Sequence, residues 1–319
     1  MPLRRLTLEK AHVLALDLNP LGVPSLRHRD RGPDQLGRPR RPVVAEVAAG
    51  VAHDVRLALN LQGNSMRINI VTVGILLLAA LSAHAEDDKP AATPYRPSVS
   101  TPAQLSAPGW LELEGGVWRQ LGIDAHRDSV PWTAKLAFSD DWGIRIGGEA
   151  WVQQTDAFGQ LLSGFGVTGV VLKRRFAVDE QSAFGLELGA TLPTGQSGIV
   201  SGKTDTDINA IYSADLGDWH IDLNLTAIHL GAPDPGTSHL QTLWAAALSR
   251  PLNDALGLVG ELSGTHQSGA GSAAQFLFAT SYSVTKSLVF DAGIARRVSG
   301  GAPTWQAVAG FTWVAARLF

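Results

Sequence analysis

The sequence has no cysteine, and downstream of residue 85 it has no long apolar run. Without cysteine there is no disulfide framework, no thiolate nucleophile and no cysteine-ligated zinc site. A membrane-spanning helix needs about 20 consecutive apolar residues, and no segment after residue 85 approaches that length. If the chain spans a membrane, it must therefore do so as a closed barrel, in which every backbone polar group is paired.

Methionine is also scarce, since the chain contains only Met1 and Met66. Residues 66–85, MRINIVTVGILLLAALSAHA, begin with this second methionine and one cation, continue as an apolar run and end in Ala-His-Ala. That order of basic, apolar and small-residue regions is typical of a secretory signal peptide. The run is too short for a stable membrane helix. We therefore expect residues 66–85 to be a signal peptide and the protein to be exported.

Residues 1–65 precede this signal and are rich in arginine and proline, without a sustained period of 3.6 or 2. Because a signal peptide acts at an amino terminus, we interpret Met66 as the true start. Residues 1–65 are then an over-extended reading frame. The competing interpretations are a basic arm that binds nucleic acid and a disordered leader.

The charge balance of residues 86–319 argues against nucleic acid as a partner. This part of the chain has 15 Lys and Arg against 23 Asp and Glu, a formal charge of −8. A nucleic-acid-binding surface needs an excess of basic residues.

Residues 86–108 are rich in proline, serine, threonine and alanine and have no apolar period. Ordering some twenty residues costs about 1–2 kcal/mol each in backbone entropy. A few screened ion pairs of about 0–1 kcal/mol cannot offset that cost. We therefore predict a flexible periplasmic tail and not a plug.

Residues 109–319 change to short alternating runs that are separated by turn residues. About twelve strand candidates are present, so each strand and the connection that follows it share about eighteen residues. A membrane strand needs about 9–11 residues, and the rest form the connection. Short connections at 139–141, 215–218 and 285–287 alternate with longer ones at 155–164, 193–206 and 231–239. The pattern predicts an all-β fold, a transmembrane antiparallel up-and-down β-barrel of about 12 strands. We expect it in the outer membrane of a Gram-negative bacterium, with the short turns on the periplasmic side.

The two faces of these strands differ in polarity, with apolar side chains on one and charged side chains on the other. In a membrane barrel the apolar face contacts lipid and the polar face lines the lumen. The charged residues predicted to line the lumen are Glu112, Glu114, Lys135, Arg145, Glu149, Glu187, Asp222, Glu261, Asp291 and Arg297. They either select what passes through the lumen or fill it by pairing with one another.

The carboxyl end of the chain is aromatic. Counting back from Phe319 in steps of two gives Arg317, Ala315 and Trp313 on one face. This end resembles the signal by which outer-membrane barrels are assembled. It implies the barrel-assembly machinery and outer-membrane lipids as partners, with Trp313 and Phe319 in the signal.

Three segments resemble a known family. They are residues 184–195 (FGLELGATLPTG), 205–207 (DTD) and 212–217 (YSADLG). Their order, a strand that ends in Pro-Thr-Gly, an Asp-led strand and a Leu-Gly turn, is similar to the outer-membrane transporters grouped with a phenol meta-degradation pathway. The resemblance implies a barrel linked to small, often aromatic or hydrophobic, compounds.

One motif points to catalysis. His266 and Ser268 in Thr-His-Gln-Ser-Gly resemble the His-x-Ser of outer-membrane phospholipase A. The orienting Asn expected on the next strand is missing, since Ala274, Phe276 and Phe278 occupy that face. A Ser–His pair without an orienting residue is a weak nucleophile site.

The sequence therefore favours a channel or transporter for a small-molecule solute, hydrophobic or aromatic ones among them, with no cofactor, no metal site and no enzymatic activity. The alternatives are a lipid hydrolase that uses His266 and Ser268, and a structural membrane anchor without transport.

Overall fold

The computed structural model describes residues 88–122, 126–155, 159–300 and 304–319. The predicted leader, residues 1–65, and the predicted signal peptide, residues 66–85, lie outside the described residues. Among the described residues, no helix is long and apolar enough to span a membrane.

Thirteen strand segments follow one another along the chain. They are β1 (Trp110–Leu121), β2 (His126–Ala137), β3 (Trp142–Thr155), β4 (Leu161–Gly164), β5 (Thr168–Ala177), β6 (Ser182–Leu192), β7 (Asp205–Leu216), β8 (Trp219–His229), β9 (Leu240–Pro251), β10 (Leu256–Gln267), β11 (Gly271–Thr285), β12 (Leu288–Ser299) and β13 (Trp305–Arg317).

The segments β4 and β5 are two parts of a single strand. Both pair antiparallel with β3, β4 at the far end of β3 and β5 at its beginning. The interruption falls at residues 165–167, where Gly166 and Val167 exchange backbone hydrogen bonds with Glu149. The prediction that residues 161–164 belong to a loop is therefore wrong. The barrel therefore has twelve strands, as predicted.

The sheet closes on itself. Each strand pairs antiparallel with its sequence neighbours, and β1 pairs with β13 as well as with β2. Pairing of β2 with β3 completes the circle. The fold is a closed, antiparallel, up-and-down barrel of twelve strands, which confirms the predicted fold class.

The two rims of the barrel differ. One rim, here called the terminal rim, carries Gly109 and Phe319, which lie against each other. Five turns of two to four residues lie on the same rim, after β2, β5, β7, β9 and β11. The opposite rim, here called the loop rim, carries the longer loops 193–204 and 230–239, as alternation predicted. The connection of residues 268–270 is an exception, a tight turn on the loop rim.

Side chains alternate between an apolar outer face and a polar inner one. In β6, Phe184 and Leu188 are half exposed on the outside, whereas Glu187 between them is 1% exposed. Aromatic side chains on the outer face near the terminal rim are Phe138, Trp142, Phe176, Phe184, Trp219 and Tyr282. Trp132, by contrast, lies in the middle of β2.

The last strand ends two residues before the chain does. β13 ends at Arg317, and the guanidinium of Arg317 donates a hydrogen bond to the Phe319 carbonyl oxygen at 3.0 Å. The strand therefore does not include Phe319, the residue from which the alternation was counted. Phe319 is exposed at the terminal rim, and Trp313 is half-buried on the outer face.

Candidate functional site in the barrel lumen

The ten charged residues predicted to line the lumen all lie on the inner face of the barrel. Nine of them are buried, and Asp222 is partly buried near the terminal rim. Several pair with one another: Lys135 bridges Glu112 and Glu114, and Arg145 reaches Glu187 at 3.4 Å. Their effect on what passes through the lumen stays a prediction.

The lumen also contains a segment of the chain that precedes the first strand. Residues 89–108 have no regular secondary structure, and Tyr95, Ser100, Thr101 and Ala103 among them are at most 7% exposed. This segment, here called the plug, contacts inner-face side chains of most of the barrel. The predicted flexible periplasmic tail is therefore wrong for these residues.

Both ends of the plug lie at the terminal rim. Lys89 donates a hydrogen bond from Nζ to the Val314 carbonyl oxygen at 3.0 Å, and the Ala92 amide donates to the Lys286 carbonyl oxygen. At the other end, Pro108 forms a bridge with Ala137. The plug thus enters the lumen and returns to the same rim.

Carboxylates of the barrel bind the backbone of the plug. Glu112 accepts a hydrogen bond from the Thr93 amide at 2.9 Å, and Glu114 accepts one from the Tyr95 amide at 2.8 Å. Deeper in the lumen, Glu261 accepts the amides of two successive plug residues, Val99 at 3.1 Å and Ser100 at 2.8 Å. Hydrogen bonds to ionised acceptors are about twice as strong as neutral ones.

Two uncharged barrel side chains bind the returning part of the plug. Asn224 accepts the Thr101 amide at 3.0 Å and donates to the Thr101 carbonyl oxygen at 2.9 Å. The hydroxyl of Ser213 accepts the Ala103 amide at 2.7 Å and itself donates to Asp222. Asp222 thus positions the group that binds the plug, rather than facing open solvent.

Tyr95 is the central side chain of the plug. Its ring lies 4.0 Å from the Lys135 ammonium, 4.4 Å from that of Lys173 and 5.6 Å from the Arg145 guanidinium. Its hydroxyl donates to the Gln104 carbonyl oxygen at 2.6 Å and so joins the two arms of the plug. Cations over an aromatic face are attracted by its quadrupole, most strongly where water is excluded.

An ion pair connects a plug side chain to the opposite wall. The Arg96 guanidinium lies 3.4 Å from the Asp291 carboxylate on β12. Next to it a cavity of about 50 Å³ remains between the plug and the wall, lined by Trp118, Gln275 and Gln306 among others. Such a space holds a few water molecules at most. The plug therefore fills this level of the lumen.

The part of the lumen nearer the loop rim is organised differently. Arg127 pairs with Glu149 at 2.6 Å, and Ile199 and Val200 of the loop 193–204 are buried against Val152 and Val167. Arg297 forms no ion pair with the residues that the structure describes.

The catalytic alternative is not assembled. The Nδ1 atom of His266 lies 2.9 Å from the hydroxyl of Ser272, on the neighbouring strand, and not beside Ser268. Ser268 sits in the turn, where its carbonyl oxygen accepts the Ser238 amide. Within the described part of the chain, no group of three or more His, Asp or Glu side chains could hold a metal ion.

Several residues of the site were not among those predicted from the sequence. Lys173 belongs to a run of three cations, residues 173–175, but it is 3% exposed and contacts Glu187 at 3.3 Å. Tyr95 and Arg96 were missed because the plug has no periodic pattern. One available signal was the excess of carboxylates over cations on the inner face, which calls for further hydrogen-bond donors.

No family model matches the chain, and no curated protein matches it. The resemblance to the phenol meta-degradation transporters therefore remains a prediction. Solved structures similar to the chain include outer-membrane porins and channels. The KdgM porin in complex with disordered oligogalacturonate has 12% identity, covers 64% of this chain and 99% of its own, and has a TM-score of 0.45. The NanC porin has 10% identity, covers 64% of this chain and 98% of its own, and has a TM-score of 0.47. The CymD monoaromatic hydrocarbon channel has 9% identity, covers 74% of this chain and 100% of its own, and has a TM-score of 0.46.

At these identities the likeness is one of barrel architecture only. The fold and the lumen define the class: a closed twelve-stranded β-barrel with an apolar outer face and a polar interior that holds its own plug.

Proposed function

We propose that the protein is an outer-membrane channel for small molecules and that residues 89–108 close it in the conformation described here. The observation that carries the proposal is that a non-strand segment fills a polar lumen and is held there by barrel side chains. Its backbone contacts with the barrel backbone lie at its two ends on the terminal rim, at Ala92 and Pro108. The plug can therefore leave without breaking the barrel.

The outer face supports insertion into a membrane. Large apolar side chains such as Phe278 and Leu225 are 49% and 62% exposed. Exposure of so many apolar side chains is costly in water and favourable in lipid. Apart from β4, the strand segments have 10 to 15 residues, enough to cross a bilayer at a tilt. We expect outer-membrane lipids to contact this face, and the barrel-assembly machinery to bind the end that contains Trp313 and Phe319.

The site of Tyr95 suggests which solutes pass. Once the plug leaves, Lys135, Lys173 and Arg145 lose the ring that lies among them. A small aromatic solute offers the same quadrupole to these cations. Aromatic and hydrophobic small molecules are therefore the proposed solutes.

Conductance in planar bilayers tests the proposal. We expect the intact protein to be mostly closed and a variant without residues 89–106 to show a large rise in open-channel current. Electrophoretic migration before and after boiling checks that the variant still folds, because a folded barrel migrates differently when unheated. Unchanged current through a folded variant would contradict the proposal.

A locked plug supplies a test in the full-length chain. Because the natural chain has no cysteine, a pair introduced by Ala103→Cys and Ala183→Cys, which lie in one buried cluster, forms a unique crosslink. We expect no current in the oxidised form and rare openings after reduction. Each single cysteine variant is the control, since its current should not respond to reductant. Equal current in the oxidised and reduced double variant would mean that the solute path does not require the plug to move.

A further inference from the structure

The barrel recognises the backbone of the plug more than its side chains. Plug amides that donate to barrel side chains are those of Thr93, Tyr95, Val99, Ser100, Thr101 and Ala103. Apart from Ser100, these donors are spaced by two within each arm, 93 to 95 and 99 to 103. That is the spacing of an extended chain, in which alternate residues face the same way.

Carbonyl oxygens of the plug are bound as well. Lys135 donates to the Thr93 carbonyl oxygen, Lys173 to that of Pro102, and Asn224 to that of Thr101. Donors and acceptors of the wall therefore match both polar groups of a peptide backbone. A lumen built only for ions or small solutes has no need of this match.

Prolines occupy plug positions that have no barrel acceptor. Pro94, Pro97 and Pro102 lie between the bound amides, and proline has no amide hydrogen to leave unpaired. A proline-spaced peptide therefore enters the lumen with fewer buried donors to satisfy. The requirement concerns the positions of amide groups and not the identity of most side chains.

Some plug side chains add specificity. Arg96, Ser100 and Thr101 bond to barrel side chains, and Tyr95 is an aromatic anchor. Tyr95 is buried among three cations, and its hydroxyl accepts a hydrogen bond from Lys173 at 3.2 Å. By contrast, the side chains of Ser98 and Gln104 form no hydrogen bond to the described barrel residues. The site therefore combines sequence-tolerant backbone contacts with a small number of side-chain contacts, among them one aromatic anchor.

We propose that the lumen is a peptide-binding site and that it accepts, in place of the plug, a separate extended peptide with prolines between its bound amides and a tyrosine anchor. The plug is the tethered form of this ligand. The inference goes beyond small-molecule passage and does not depend on conduction, because binding is measured without a membrane current.

The tether sets the conditions of the test. A tethered segment competes at an effective concentration in the millimolar range, so a free peptide cannot displace it from the intact chain at ordinary concentrations. We therefore use the full chain, folded in detergent, with a protease recognition sequence inserted at Pro108, which is exposed. Cleavage after folding converts the plug into an exchangeable peptide.

Exchange is followed with a fluorescein-labelled peptide of residues 89–108. We expect saturable binding to the cleaved barrel and none to the uncleaved barrel, which is the matched control. Methylation of the Tyr95 and Val99 amide nitrogens removes two donors to carboxylates and should weaken binding at least a hundredfold, because hydrogen bonds to charged groups are strong. Alanine at Ser98, Gln104 and Leu105 should change binding less than tenfold, whereas Tyr95→Ala should weaken it at least tenfold.

Two results would overturn the inference. The first is the absence of exchange in a cleaved barrel that still shows heat-modifiable migration. The second is equal binding of the methylated and unmethylated peptides, which would mean that the wall does not recognise backbone amides. Neither result bears on small-molecule passage, since conductance of the plug-deleted barrel is measured separately.

Discussion

Glu261 and Ser100, 161 residues apart in the chain, are joined by two hydrogen bonds to the same carboxylate oxygen. The Oε2 atom of Glu261 accepts the Ser100 amide at 2.8 Å and the Ser100 hydroxyl at 2.8 Å. Its other oxygen accepts the Val99 amide. Glu261 has no cationic partner among the described residues, so the plug supplies the donors that a buried carboxylate requires.

Glu261→Gln should loosen the plug. An amide side chain has one acceptor oxygen and presents its NH₂ group to the plug amides, so at least one hydrogen bond is lost. Losing a hydrogen bond to a charged group costs about 2 kcal/mol, which is an increase of about 30-fold in the open population. Planar-bilayer recordings measure this directly. Glu180→Gln, in an exposed turn, is the matched control and should leave the current unchanged.

Tyr95 should hold the plug mainly through its ring. Tyr95→Ala removes the ring from three cations, each such contact being worth about 0.5–2 kcal/mol, whereas Tyr95→Phe removes only the hydroxyl. We expect amide hydrogen exchange of residues 93–103 to rise at least tenfold in the alanine variant and less in the phenylalanine variant. Tyr282→Ala removes an outward-facing ring and should leave this exchange unchanged. Equal exchange in Tyr95→Ala and the wild type would contradict the prediction.

The ion pair of Arg96 and Asp291 should be replaceable by its reverse. Arg96→Glu places two carboxylates together and should expose residues 93–103 to protease. Adding Asp291→Arg should restore part of the protection, because the pair is buried and screened little by salt. The same swap in the exposed pair Arg250 and Asp218 should not change protection, since surface pairs contribute about 0–1 kcal/mol. Protection that is no higher in the double variant than in Arg96→Glu would refute the pairing.

Two glycines should respond differently to alanine. A Cβ atom on Gly148 would lie 2.2 Å from the Val167 carbonyl oxygen, at the interruption between β4 and β5, whereas one on Gly260 would meet nothing within 4 Å. Overpacking of this kind costs about 1–3 kcal/mol. Gly148→Ala should therefore lower the temperature at which heat-modifiable migration is lost, and Gly260→Ala should not. Equal temperatures for both variants would mean that the interruption relaxes freely.

The barrel could be predicted from the sequence because its strands carry a local signal. Alternation within β6, from Phe184 to Leu188, already separates the outer from the inner face. Turns such as the one at residues 217–218 mark the boundaries. The interruption between β4 and β5 could not be predicted, because residues 165–167 are apolar and continue the strand pattern. The interruption becomes visible only in the backbone hydrogen bonds that Gly166 and Val167 form with Glu149.

The plug could not be predicted from pattern, since it has neither periodicity nor regular structure. Side-chain ion pairs alone do not offset the entropy cost of ordering it. Its amides also donate hydrogen bonds to Glu112, Glu114 and Glu261, each worth about 1.5–3 kcal/mol, which the sequence pattern does not show. The buried carboxylates in the strands needed those donors, and only the folded barrel brings the two together.

The path of the plug has a topological consequence. Lys89 and Pro108 both lie at the terminal rim, so the segment between them is a loop pushed into the barrel from one side. No free end has to thread through the closed ring of strands. Insertion and withdrawal can each follow barrel closure, and neither requires the junction of β1 with β13 to open.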